Sequence, residues 1–108
     1  MNHTLDPVAG VLTLTVPGDI LSTNADPLRE QIFQLLGSEA IGQAAWGKLQ
    51  LNLTAARMVD SVGLNLVVAL IKAVKQRGAT VQVNLANKNV QRTFMFTRLD
   101  QQVDLVMA

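Results

Sequence analysis

The chain is 108 residues long, about the length of one small domain, so a second independent core has no room to form. Hydrophobic residues make up 49% and charged residues 16%, a composition that predicts a folded chain and not a disordered one. Nine basic and eight acidic residues give a formal charge of +1, which argues against binding to nucleic acid phosphates. We therefore expect a single domain over residues 1–108 with no nucleic acid partner.

The chain contains no cysteine, and its one histidine, His3, lies near the first residue. A Ser-His-Asp triad, a Cys-His pair or a zinc site with histidine ligands cannot be assembled from this chain alone. These absences exclude most common hydrolase chemistry, and we expect no enzyme activity, no catalytic residue, no metal and no cofactor. The first residues lack a basic start followed by an apolar stretch, and no apolar run approaches the ~20 residues of a membrane span. We expect a cytoplasmic protein that does not insert into a membrane.

Residue periodicity divides the chain into strands and helices. Strands are indicated by alternating apolar and polar residues, and helices by apolar residues three or four positions apart. The predicted elements are, in chain order, a short strand before a turn at 6–10, a strand at 11–16, a helix at 25–36, a strand at 49–53, a helix at 60–77, a strand at 81–85, a helix at 87–98 and a strand at 103–107. Strands joined through helices pair in parallel, so we expect an α/β fold with one mixed sheet, opened by an antiparallel hairpin and packed with helices.

Polar caps and aromatic residues refine this scheme. Residues 22–24, Ser-Thr-Asn, offer N-caps for the first helix, and Asn87 offers one for the last helix. We interpret Trp46, Phe94 and Phe96 as core residues, because no basic residues are interleaved with them as they are in a base-stacking surface.

The main candidate for chemistry lies where a loop enters the long middle helix. Asp60 and Ser61 stand at the start of this helix. Its first backbone N–H groups lack partners within the helix and carry the positive end of the helix dipole. A phosphate on the Ser61 hydroxyl is electrostatically tolerated there, so Ser61 is a candidate phosphoacceptor. The alternative is that Asp60 or Ser61 serves only as the N-cap.

Two neighbouring residues raise further alternatives. Gly63 lies in the first turn of the same helix, where glycine costs about 1 kcal/mol relative to alanine. Either close packing of the helix start against the sheet or a partner offsets this cost, or the rest of the core absorbs it. Asp19 ends an earlier strand on the same edge of the sheet if the two strands run parallel. Asp19 is then either a neighbour of Ser61 or an exposed carboxylate of a turn.

One stripe of the long helix is a candidate docking surface. Its members, three or four positions apart, are Ser61, Asn65, Val68 and Lys72. The stripe belongs to the basic half of the chain, because residues 55–108 hold seven basic and three acidic residues, against two and five in residues 1–54. It is either a solvent-exposed helix face or a surface that binds a partner.

Three segments carry a resemblance to a known family. They are Leu49-Gln-Leu-Asn-Leu53, Met58-Val-Asp-Ser-Val-Gly-Leu64 and the helix end Lys75-Gln-Arg-Gly78. Together they resemble a STAS domain of the anti-sigma factor antagonist family. The resemblance extends over about residues 8–107, with Pro17-Gly18 and Thr97-Arg98-Leu99-Asp100 included, and its most specific element is Asp60-Ser61-x-Gly63-Leu64.

The resemblance implies a small mixed sheet packed with helices, and a binding switch without catalytic activity. In that family, the serine after the motif aspartate, here Ser61, is phosphorylated by a kinase that is also the anti-sigma factor, and the phosphate releases this partner. The implied partners are an anti-sigma factor with serine kinase activity and a serine phosphatase. Joining the motif to the stripe, we expect partner binding at Asp19, Asp60, Ser61, Val62, Gly63, Asn65, Val68 and Lys72.

The chain departs from the family pattern at three places. Residues 18–21, Gly-Asp-Ile-Leu, stand where many relatives have Gly-Glu-Leu-Asp, so the usual aspartate is absent at Leu21. Val62 replaces a second Ser or Thr, and Arg98 replaces a glycine.

Two other functions stay open at this point. One is a constitutive accessory or scaffold subunit, for example of a lipid-transport or signalling assembly, in which Ser61 is never modified. The absent aspartate favours this alternative. The other is a small-ligand or nucleotide-binding domain that uses the loops at the carboxyl ends of the strands, for which no Gly-rich loop provides support.

Overall fold

The sheet has five strands in the order in which they occur along the chain. They are β1 (Asn2–Asp6), β2 (Val11–Thr15), β3 (Lys48–Leu53), β4 (Thr80–Leu85) and β5 (Asp104–Met107). In this computed structural model, which describes residues 1–108, β1 and β2 form an antiparallel hairpin. The pairs β2–β3, β3–β4 and β4–β5 are parallel, because a helical connection precedes each later strand. The predicted mixed sheet opened by a hairpin is confirmed.

Four helices and one 3-10 turn connect the strands. They are α1 (Ala25–Gly37), α2 (Glu39–Gly42), α3 (Ser61–Gln76), α4 (Lys88–Phe96) and the turn Leu99–Gln101. The three longer helices agree with the prediction to within two residues at each end. Neither α2 nor the 3-10 turn was predicted, because elements of three or four residues are too short to show apolar periodicity. No helix combines the length and the apolar character needed to cross a bilayer.

A single apolar core lies between one face of the sheet and the helices. Alternate residues of the parallel strands point into it, so that Leu12 of β2, Leu49 of β3 and Val81 of β4 lie in register and are all buried. Helix residues such as Leu70 and Phe94 belong to the same cluster. No polar or charged side chain is buried in it. All helices therefore cover one face of the sheet, and the opposite face is lined by partly exposed polar side chains.

Trp46 connects two segments at the amino ends of the strands. Its indole Nε1–H donates to the carbonyl of Ile41 (2.8 Å), and the guanidinium of Arg77 stacks 3.7 Å from the ring centroid. The same guanidinium donates to the carbonyls of Gly42 (3.1 Å) and Ala44 (2.9 Å). The segment before β3 is thereby attached to the end of α3. The candidate site lies at the opposite edge of the sheet, at the carboxyl ends of the strands.

The aromatic residues follow the prediction at two of three positions. Trp46 and Phe94 are buried in the core, whereas Phe96 is 80% exposed. The prediction of Phe96 as a core residue was wrong because it lies two residues, or about 200° around the helix, from Phe94. Phe94 shares the inward face of α4 with Val90, four residues earlier.

Arg98 follows α4 in a left-handed backbone conformation, with φ of 59°, and is the one residue other than glycine with a positive φ. An L side chain in this region costs roughly 1–2 kcal/mol, which glycine avoids. The glycine of the family pattern is therefore the residue that this backbone favours, and Arg98 is a local cost in this chain.

Replacing Arg98 by glycine should raise the free energy of unfolding by about 1 kcal/mol, because glycine adopts the left-handed conformation without strain. The matched control is Arg92→Gly in the middle of α4, which should lower it by about 1 kcal/mol. Urea unfolding followed by the fluorescence of Trp46, the one tryptophan, measures both. A destabilised Arg98→Gly variant would contradict the prediction.

Candidate functional site

Two loops meet at the carboxyl edge of the sheet. The first loop (residues 16–24) follows β2, the second loop (residues 54–60) follows β3, and these strands are parallel neighbours. Ile20 and Val59 form a parallel bridge between the loops. The N–H of Ile20 donates to the carbonyl of Met58, and the N–H of Asp60 donates to the carbonyl of Ile20, both at 3.2 Å. The two loops are therefore joined through their backbones directly before α3 begins.

Asp19 attaches the first loop to the second. Its Oδ1 accepts hydrogen bonds from the backbone N–H groups of Arg57 (2.7 Å) and Met58 (3.1 Å). The parallel strands bring Asp19 to the loop that leads into Ser61, as the shared edge predicted. Its carboxylate is engaged with that loop's backbone, so Asp19 is more than an exposed carboxylate of a turn.

Asp60 makes the reciprocal connection. Its Oδ1 caps α3 by accepting from the N–H of Gly63 (2.8 Å), and its Oδ2 accepts from the N–H of Ser22 in the first loop (2.7 Å). Of the two N-cap candidates, Asp60 is therefore the cap, and Ser61 is the first residue of the helix. The hydrogen bonds from Gly63 and Ser22 hold the pKa of the Asp60 carboxyl below its ordinary value, because they stabilise the ionised form.

Asn24 completes the attachment of the first loop, a role that was not predicted from the sequence. It occupies the N-cap position of α1, yet its side chain makes no cap hydrogen bond. Instead, its Oδ1 accepts from the N–H of Leu21 and its Nδ2 donates to the carbonyl of Asp19, both at 2.8 Å. A side chain that bonds back into the preceding loop is a common use of asparagine in turns, which is the one signal that its sequence position carries. At the other predicted cap, Asn87 does cap α4.

Gly63 lies against the first loop without space for a side chain. A Cβ placed on Gly63 would overlap the carbonyl oxygen of Ile20 and would lie 2.7 Å from its carbonyl carbon. Of the two explanations for this glycine, close packing of the helix start is confirmed. The start of α3 therefore touches the backbone of the first loop directly.

The outer surface of the site combines exposed polar and apolar groups. In the predicted stripe, Ser61, Asn65 and Lys72 are exposed, whereas Val68 is half-buried and packs against the core. This packing explains why an apolar residue occurs in the stripe. Val62, beside Ser61, is 43% exposed. No three His, Asp or Glu side chains lie close enough together to hold a metal ion.

Gly63→Ala should lower the free energy of unfolding by about 2 kcal/mol, because the new Cβ meets backbone that cannot rotate away. The matched control is Gly37→Ala at the end of α1, where a Cβ meets nothing within 4 Å. This control should be neutral or stabilise the protein by up to about 1 kcal/mol. Urea unfolding of both variants measures the difference, and equal effects would show that the contact with Ile20 imposes no constraint.

The stability contributed by the Asp60 carboxylate should depend on pH. Because the folded pKa lies below the unfolded value, this contribution is complete above the unfolded pKa and is lost as the pH falls through the folded pKa. Asp60→Asn should therefore be less stable than the natural chain at about pH 6, and the difference should shrink towards about pH 2. The other carboxyl groups are common to both proteins and cancel. A difference that does not change with pH in urea unfolding would contradict the prediction.

Comparisons with known proteins agree with the fold. The sequence model described as the STAS domain matches residues 4–107. No functionally curated protein matches the sequence at a significant level.

The solved structures that are similar to this chain include three that illustrate the match. A Thermotoga maritima protein assigned as an anti-sigma factor antagonist has a TM-score of 0.80 and 21% identity, covering 97% of this chain and 84% of that one. An anti-sigma factor antagonist from Mycobacterium paratuberculosis has a TM-score of 0.74 and 22% identity, with 97% and 84% coverage. The anti-sigma factor antagonist SpoIIAA in its unphosphorylated form has a TM-score of 0.71 and 18% identity, with 99% and 88% coverage.

Proposed function

Because the chain belongs to the STAS domain family, we propose that it is an anti-sigma factor antagonist controlled by phosphorylation of Ser61. It binds an anti-sigma factor that is also a serine kinase, releases it when Ser61 is phosphorylated, and binds again after a serine phosphatase removes the phosphate. It is then a bacterial cytoplasmic regulator of transcription that acts by binding, without catalytic activity. The similar structures of anti-sigma factor antagonists support this proposal. The observation that carries it is the exposed serine at the first position of α3.

The surroundings of Ser61 favour control through surface charge. A phosphate adds about −1.5 to −2 charges and three acceptor oxygens. Both oxygens of the adjacent Asp60 carboxylate are already bonded to backbone N–H groups, and Gly63 holds the helix start against the first loop. A phosphate on Ser61 therefore finds no space between the helix start and the first loop and stays on the surface. Its charge and bulk project towards a bound partner, and a close-packed interface that accepts a hydroxyl excludes them.

The expected binding residues divide into two groups by what their atoms do. Asp19, Asp60 and Gly63 use their polar atoms or close contacts within the two loops, so we assign them to positioning the site. The surface available to a partner is formed by the exposed or half-buried side chains of Ser61, Val62, Asn65, Val68 and Lys72. A partner would thus contact the hydroxyl of Ser61 and the exposed side chain of Val62. The amide of Asn65 and the ammonium group of Lys72 border them.

The test is phosphorylation by the serine kinase anti-sigma factors of the source organism, each purified and supplied with ATP. One kinase should add one phosphate, seen by intact-mass spectrometry, and Ser61→Ala should abolish the addition while retaining affinity for that kinase. Ser61→Asp should weaken binding at least tenfold, about 1.4 kcal/mol, because it introduces a carboxylate where the interface accepts a neutral group.

The matched control is Thr23→Ala, because Thr23 carries an exposed hydroxyl on the adjacent loop. It should leave both phosphorylation and binding unchanged. A phosphate on another residue, or equal affinity of modified and unmodified protein, would contradict the switch.

One observation favours the second candidate function, a constitutive STAS accessory or scaffold subunit. Leu21 stands where many relatives carry an aspartate, so the first loop here offers one carboxylate fewer beside Ser61. In this alternative, the same edge binds its partner permanently and Ser61 keeps its hydroxyl. Binding of a partner without any phosphorylation by the kinases of the organism would favour it over the switch.

A further inference from the structure

A shallow groove separates the second loop from α4. Arg57 and Met58 line one side of it and Asn89 and Thr93 of α4 line the other, around a volume of about 120 Å³. The side chain of Met58 is 58% exposed. Met58 lies in the second loop, three residues before Ser61 in the chain.

The outer face of α4 continues this groove away from the loops. We call its residues, which are three or four positions apart on one helix face, the α4 strip: Asn89, Arg92, Thr93 and Phe96. Phe96, the last of them, is 80% exposed, whereas Val90 and Phe94 on the inward face are buried. Seven residues of helix place Phe96 about 10 Å from Asn89 along the helix axis. Two large apolar side chains, Met58 across the groove and Phe96 at the end of α4, are exposed on this surface.

The charged side chains of α4 and of Arg57 across the groove are positive, and the nearby Asp19 carboxylate is engaged with the backbone N–H groups of Arg57 and Met58. Helix α4 contains Lys88 and Arg92 and no acidic residue. Arg57 contributes its backbone N–H to the Asp19 carboxylate, which leaves its guanidinium outside that contact. The surface is thus apolar at its centre and basic at its rim. The complementary surface has apolar side chains bordered by carboxylates.

We propose that Met58 and the α4 strip form a docking site for an acidic amphipathic segment of the same partner that binds at Ser61. The identity of the partner rests on the proposed function, whereas the chemistry of the segment rests on the exposed residues. In this arrangement, Phe96 inserts among the apolar side chains of the segment, and Arg57 and Arg92 pair with its carboxylates. The partner then contacts both the start of α3 and the length of α4.

Calorimetric titration with the kinase identified through Ser61 phosphorylation tests the docking site. Phe96→Ser and Arg92→Glu should each weaken binding at least tenfold, and the effect of Arg92→Glu should be larger at low salt. The matched controls are Val8→Ser, at an apolar residue that is 97% exposed in the β1–β2 turn, and Lys75→Glu near the end of α3. Both controls should bind normally. Normal binding of Phe96→Ser to a kinase that phosphorylates Ser61 would overturn the docking site and leave the switch intact.

A second measurement is independent of the kinase. The labelled chain is titrated with a synthetic helical peptide that carries leucine and phenylalanine on one face and glutamate on the other, and amide chemical shifts are recorded. Saturable shifts at Met58, Asn89 and Phe96 are expected, and they should be absent with Phe96→Ser and with a lysine-for-glutamate peptide. Such shifts without any phosphorylation of Ser61 would support the docking site and contradict the switch.

Two results of this titration would overturn the proposal. Equal shifts with both peptides, or none with either, would show that the surface has no preference for acidic segments. Binding to phosphatidylglycerol vesicles that Phe96→Ser abolishes, without a response to the acidic peptide, would identify a lipid-binding surface in its place.

Discussion

The arrangement of the loops at the carboxyl ends of the strands depends on the two hydrogen bonds that the side chain of Asp60 accepts. One of its oxygens caps α3 through Gly63, and the other holds the backbone of Ser22, 38 residues earlier in the chain. An ionised carboxylate has two oxygens that only accept, so it makes both bonds at once, whereas the amide of asparagine would present a donor to one of them. The depressed pKa of Asp60 has the same origin. A single side chain thus couples the start of a helix to a separate loop.

This coupling defines how a change at Ser61 acts in the proposed switch. The bonds of Asp19 to the second loop and the contact of Gly63 with Ile20 leave the start of α3 no space to move inwards. A charge added to Ser61 is therefore not relieved by rearrangement of the protein. The added charge instead changes the electrostatics of the exposed surface, which includes Val62 and Met58. In the proposed switch, binding would thus be controlled by surface chemistry alone, with the fold of the STAS domain unchanged.

The uneven distribution of charge has two different origins in the structure. Arg77 is engaged within the fold, where its guanidinium stacks on Trp46 and holds two backbone carbonyls. In contrast, Arg57 and Arg92 border the exposed groove between the second loop and α4. The net charge of the second half of the chain is thus in part a structural requirement at the amino edge of the sheet. Arg57 and Arg92 are the part of this charge that the proposed docking site uses.

The sequence by itself determined the strands, the three longer helices and the place of Ser61 at the start of α3, because burial repeats every 2 residues in strands and every 3.6 in helices. It also indicated that Gly63, in the first turn of a helix, lowers stability unless close packing or the rest of the core offsets the cost. Only the tertiary structure decided which backbone N–H groups the carboxylates of Asp60 and Asp19 bind. The physical reason is that periodicity reports neighbours within one element, whereas contacts between loops depend on the register of β2 against β3.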